Sequence, residues 1–158
     1  MRITKWGEYG VLCSLYLAKK HSANEAVGAA EIADAESIPL QYTHQILQRL
    51  RKGGIISSVR GPHGGYKLTA DPEKINLKQI MIAVEDDTFQ VMCDTHPIEN
   101  EQRCNPMSDC GLRVVWQDLK QSIDQMLEQR TLAWLVQRDS QTNLVKLSTE
   151  RPSAPPAA

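Results

Sequence analysis

Three of the four cysteines in this 158-residue chain, Cys93, Cys104 and Cys110, fall in one short stretch with the spacing C-x10-C-x5-C. Zinc sites usually pair their cysteines about two to four residues apart, and no such pair is present. A disulfide framework is disfavoured in a chain without an export signal. Three thiolates on one loop can instead wrap an iron-sulfur cluster, whose irons are completed by one further ligand. The spacing leaves three chemistries open: a cluster of two or four irons, a zinc ion, or thiols that are inert or form a disulfide switch. From Asp86 to Asp109 hydrophobic periodicity disappears, and Asp94, Pro97, Asn100, Asn105 and Pro106 interrupt the chain. A structureless connection of that length is unusual unless something orders it. The free energy of metal binding can fold its own ligand loop. Cys110 opens a helical pattern with Ser108 or Asp109 as its cap, so the helix dipole favours its thiolate. Cys13, by contrast, lies on the apolar face of an N-terminal helix and reads as a small buried hydrophobe.

A second signal is the distribution of charge. The chain carries 18 Lys and Arg against 19 Asp and Glu, for a net charge of -1, which excludes a globally basic nucleic-acid coat. Yet no acidic residue occurs from Ser37 to Ala70, where Arg49, Arg51, Lys52, Arg60 and Lys67 give a local charge of +5. A concentrated field of this kind steers a polyanion where an averaged one cannot.

The elements that present these groups follow from apolar spacing. Trp6, Tyr9, Leu12, Cys13, Tyr16 and Leu17 recur at the period of an amphipathic helix over residues 3–20. Ala29 to Ala35 is a short helical stretch, and Ser37-Ile38-Pro39 breaks it, because the residue before a proline avoids the α region. A new helix begins near Pro39, runs through Tyr42, Ile46, Leu47 and Leu50, and stops at Gly53-Gly54. Ile55 to Val59 and Tyr66 to Leu68 then read as two strands joined by the turn residues Arg60-Gly-Pro-His-Gly-Gly65. A helical pair followed by a hairpin is a winged helix-turn-helix, with the hairpin turn as the wing tip. Leu77 to Glu85 forms a further helix. After the cysteine loop, Leu112, Trp116, Leu119, Ile123 and Met126 alternate at four and three residues, predicting one rod from Gly111 to about Arg138. A rod of about 42 Å is too long for so small a domain to cover, so it is expected to pair with its copy in a second chain.

The predicted fold class is therefore mainly α with a small β-hairpin wing. Residues 1–85 are expected to form a winged helix-turn-helix DNA-binding domain and 86–110 a cysteine-bearing cluster loop. Residues 111–138 are read as a dimerisation helix and 139–158 as a flexible tail. In the second helix of such a motif the N-terminal residues reach base edges in the major groove, which nominates Gln41, Tyr42, His44, Gln45 and Gln48. Arg49, Arg51 and Lys52 are placed for phosphates, and Arg60, His63 and Gly64 at the wing for the minor groove and backbone. No run approaches the roughly 18 apolar residues of a membrane span and no leader pattern opens the chain, so a soluble, cytoplasmic protein is expected. An enzyme is not expected: neither His21, eight residues after Cys13, nor His96 makes a nucleophile-base motif. An iron-sulfur electron carrier would use the cysteines but has no need of the acid-free helix and wing.

The opening Met-Arg-Ile-Thr-Lys, the stretch IPLQYTHQILQRLRKGGIISSVRGPHGGYKL from Ile38 to Leu68, and three cysteines before a long helix resemble the Rrf-type winged-helix transcriptional regulators. That group includes IscR-, NsrR- and RirA-like iron-sulfur cluster regulators. The resemblance extends to about Arg138 and is most specific in SVRGPHGGYKL and the cysteine trio. It implies a homodimer that binds double-stranded promoter DNA under the control of a cluster sensing nitric oxide, redox state or iron supply. A thiol-disulfide or zinc-dependent regulator on the same scaffold is the alternative. Two departures concern the ligands. Ten residues, DTHPIENEQR, separate Cys93 from Cys104, more than members commonly place there. Three residues after Cys110, where IscR-like members carry a His, stands Arg113. In NsrR-like members an acidic residue near the start of the first helix is supplied by the partner subunit, and Glu8 occupies that place. The resemblance thus makes Glu8 the first choice of fourth ligand and His96 the second.

Overall fold

The computed structural model describes residues 4–23, 25–62, 64–86 and 111–149, with residues 23 and 141–149 described by their backbone alone. Helix α1, Lys5–Lys20, is capped by Thr4, whose hydroxyl accepts from the amides of Trp6 and Gly7, and a 3-10 turn at His21–Ala23 follows it. Helix α2, Ala29–Ala35, and helix α3, Leu40–Lys52, are separated by the tight break the sequence predicts, with Ser37 in the left-handed region at φ 54°. Helix α3 ends at Gly53, and Gly54 turns the chain at φ 75°, so that the Ile55 amide returns to the Leu50 carbonyl.

Strands β1, Ile56–Val59, and β2, Gly65–Leu68, pair antiparallel from Ile56 opposite Leu68 to Val59 opposite Gly65. Val27 adds an isolated bridge to Tyr66, exchanging both backbone hydrogen bonds at 3.0 and 2.8 Å. Only glycine fits at position 65, because a Cβ would lie 2.4 Å from the Val27 carbonyl oxygen. The wing glycines therefore serve close approach within the chain as well as at its surface.

Helix α4, Leu77–Glu85, opens with a capping box between Asn76 and Gln79. Helices α1, α3 and α4 bury Cys13, Leu17, Ile46, Leu47, Leu50, Ile80 and Val84 together with Ile56 of the hairpin. Burying each of these larger aliphatic side chains contributes on the order of 1.5–3 kcal/mol, and this core fixes the angle of α3.

The expected single rod from Gly111 to Arg138 is instead two helices, α5 at Gly111–Glu128 and α6 at Leu132–Thr149. The break is imposed by the body of the domain. The Leu77 amide bonds the Arg130 carbonyl, the Leu132 amide bonds the Ile75 carbonyl, and Thr131 bridges Asn76. Leu132 is fully buried in the main core, which anchors α6 against α1 alongside an ion pair of Lys19 with Asp139 at 2.5 Å. The backbone of α6 continues helical to Thr149, through residues that the sequence assigns to the tail. Helix α5 buries none of its residues, and Leu112, Trp116, Leu119 and Met126 stand exposed along it, with Ile123 half-buried. Near its end, Lys78 of α4 reaches Asp124 at 3.3 Å and Glu128 at 2.7 Å, tying α5 to α4. Among the described residues no helix is long and apolar enough to cross a membrane.

Candidate nucleic-acid interface

Helix α3 buries Thr43, Ile46, Leu47 and Leu50 on one side. The helical period then places Gln41, His44, Gln45 and Gln48 on the opposite stripe, all exposed, and Arg51 and Lys52 continue it. Gln can bond adenine in two places, whereas the terminal cations suit phosphates. Arg60 follows β1 directly and is exposed beside the wing turn, where Gly61 has φ 122° and the Gly64 amide closes onto the Gly61 carbonyl at 2.9 Å. The structure thus gathers the exposed glutamine stripe, the cationic helix end and the wing turn on neighbouring elements that carry no acidic residue. His63 lies outside the described residues.

Two of the predicted interface residues face differently. Tyr42 and Arg49, two turns apart, form a flank of α3 turned toward α1, beside the glutamine stripe. Tyr42 is 47% exposed, yet its ring meets Trp6 edge-on at 5.9 Å and Tyr9 at 6.5 Å. The Arg49 guanidinium lies 4.8 Å from the centre of the Trp6 ring and donates to the Val84 carbonyl. Arg49, expected at a phosphate, is exposed and also makes these contacts inside the fold.

The candidate sulfur ligands Cys93, Cys104 and Cys110 and the second-choice candidate His96 all lie outside the described residues. Glu8 is described and is exposed in the first turn of α1. Its neighbour Gly7 is held by the Glu85 carboxylate, which accepts from the Gly7 amide at 2.7 Å and from the Thr4 hydroxyl at 2.5 Å. Asp86 comes next and leads into the cysteine segment, so it is Gly7, the residue before Glu8, that is held to the last turn of α4. Cys13 has no part in this donor set: it is fully buried, and burial pushes its thiol up to about 12. Among the described residues no group of three His, Cys, Asp or Glu side chains gathers to hold a metal.

Sequence reasoning missed Trp6, Thr4 and Glu85 as members of this assembly. A tryptophan in the first turn of a helix was a faint signal for the first. Nothing in the sequence marked Glu85, which meets its partners from 78 and 81 residues away.

A family model described as Rrf2, iron-dependent transcriptional regulator, matches residues 3–138. The chain is 35% identical over 136 residues to the HTH-type transcriptional regulator IscR of Yersinia pseudotuberculosis, spanning 86% of this chain and 79% of that relative. Its fold is similar to that of CymR, the global cysteine regulator of B. subtilis, with a TM-score of 0.70 and 27% identity over 87% of this chain and 98% of the other. IscR of T. potens shares the fold with a TM-score of 0.69 and 24% identity, covering 98% of this chain and 94% of its own.

Proposed function

The chain belongs to the Rrf2 family of transcriptional regulators, and from that premise we propose that a cysteine-held iron-sulfur cluster sets its affinity for promoter DNA. In this reading Cys93, Cys104 and Cys110 supply the thiolates, Glu8 the fourth ligand, with His96 next in order, and two chains act together. The observation that supports it is the cysteine trio itself, carried on the segment that follows α4 in a member of this family, with Glu8 exposed in the first turn of α1 where the resemblance expects the partner's carboxylate. The donor chemistry fits, since soft thiolates suit iron-sulfur centres and a single carboxylate can complete the last iron. The bound cluster would supply a centre that nitric oxide, oxygen or iron shortage alters.

The chain's own residues do the rest. The Gln41 to Gln48 stripe reads bases, Arg51 and Lys52 hold phosphates, Arg60 at the wing enters the minor groove between them, and the exposed apolar edge of α5 pairs with its copy. Two recognition helices must meet half-sites about one DNA turn or a multiple apart, so a small change in their separation alters affinity. Coupling of this kind is typically about 1–3 kcal/mol, or roughly 5- to 150-fold in binding.

A second reading, a thiol-disulfide or zinc-dependent regulator on the same scaffold, draws on the similarity to the cysteine regulator CymR. Anaerobic purification with iron, sulfide and zinc analysis separates the two. A coloured protein that contains iron and sulfide and loses its visible absorption in Cys104→Ala is the expected result. Colourless protein holding zinc, or no metal and a reversible disulfide, replaces the first reading by the second.

A further inference from the structure

The last turn of α4 joins three parts of the molecule. The Val84 carbonyl accepts from the Arg49 guanidinium, while the next residue, Glu85, holds the first turn of α1 through Thr4 and Gly7. The fit there is close: a Cβ on Gly7 would lie 2.4 Å from the Glu85 carboxylate and 2.7 Å from the Met81 methyl. Trp6, in that same first turn, makes a cation-π contact with Arg49 and meets Tyr42 edge-on. Both α3 residues in this junction lie on the flank beside the reading stripe, so their contacts fix the rotation of α3 about its own axis. Asp86 follows at once, in the left-handed region at φ 67°, and leads into the cysteine segment.

We propose that Arg49 is a positioning residue for DNA recognition, fastening the recognition helix to the end of α4 from which the cysteine segment departs. Its guanidinium lies 4.8 Å from the centre of an indole and at the same time donates to a carbonyl, a pair of contacts that the compact ammonium of lysine does not match. A displacement of the α4 terminus therefore reaches Arg49 through Val84 and reaches the first turn of α1, which carries Trp6, through the bonds of Glu85 to Thr4 and Gly7. The loop's role as the source of that displacement rests on the cluster reading above, whereas the role of Arg49 in holding α3 does not.

The test uses the full chain and a duplex of about 30 base pairs selected from a random pool by the wild-type protein, with affinity measured across salt. Arg49→Lys keeps the charge and Arg49→Gln removes it. Both are expected to weaken binding by about tenfold without altering the slope of log affinity against log salt. Trp6→Leu should weaken binding similarly, and the Trp6→Leu, Arg49→Lys double variant should be no worse than either alone. Near-wild-type affinity in Arg49→Lys, a shallower slope in Arg49→Gln, or additive losses in the double variant would overturn the assignment in favour of a phosphate contact. Should Arg49→Gln fail to fold, the lysine variant and the double variant decide. Running each protein with and without iron separates the two claims: a wild type indifferent to iron removes the cluster reading and leaves Arg49 to be judged by the cycle.

Discussion

The clearest quantitative consequence concerns salt. With Arg49 engaged by Trp6 and Val84, the exposed cations best placed for phosphates are Arg51, Lys52 and Arg60. In a dimer they come to about six, and each neutralised phosphate contributes about -0.9 to the slope of log affinity against log salt, giving about -5. Raising salt from about 50 to 200 mM should then weaken binding by about a thousandfold. Arg60→Gln removes one contact from each chain and should make the slope shallower by about 2, with sequence preference elsewhere preserved. Fluorescence anisotropy on a labelled duplex at four or more salt concentrations measures both quantities. A flat salt response, or an Arg60→Gln slope equal to that of wild type, would refute the placement of the wing and the helix end against the phosphates.

Other outcomes follow from the packing. Leu132 is fully buried at the joint between α5 and α6, so Leu132→Ala should cost about 2–5 kcal/mol in urea unfolding. A loss below about 1 kcal/mol would mean that α6 is not seated on the core. Cys13 should resist alkylation in the native protein at neutral pH and react once the chain is unfolded in urea. Because burial raises its thiol to about 12, the unfolded chain loses that proton first as pH rises. Its contribution to stability is thus fully present below about pH 9 and declines from there toward pH 12, whereas Cys13→Ala should flatten that alkaline decline.

The parts of the fold written in local chemistry were legible without coordinates. Pro39 and Gly53-Gly54 delimit α3, apolar spacing marks α4, and the glycine-rich turn after Arg60 delimits the wing. Their signals are steric or periodic and need no distant partner. The division of the predicted rod had no such mark. Gln129, Arg130 and Thr131 include neither Gly nor Pro, and the apolar period runs through them. The helix yields there to tertiary hydrogen bonds with Ile75 and Leu77 and to the burial of Leu132. At the candidate interface, the reading stripe followed from helical period alone. The engagement of Arg49 did not, because an arginine at the end of a basic helix suits a phosphate until the fold brings Trp6 and Val84 to it. Glu85 was invisible for the same reason.

The central claim is that a metal centre held at the cysteine segment governs how this regulator sits on DNA. Its most direct test is the affinity of anaerobically prepared protein for one selected duplex, measured iron-loaded and again after iron removal. The account predicts a difference of roughly 5- to 150-fold between the two states that disappears in Cys104→Ala. Equal affinities, from protein shown to hold iron and sulfide in the first state and neither in the second, would contradict it.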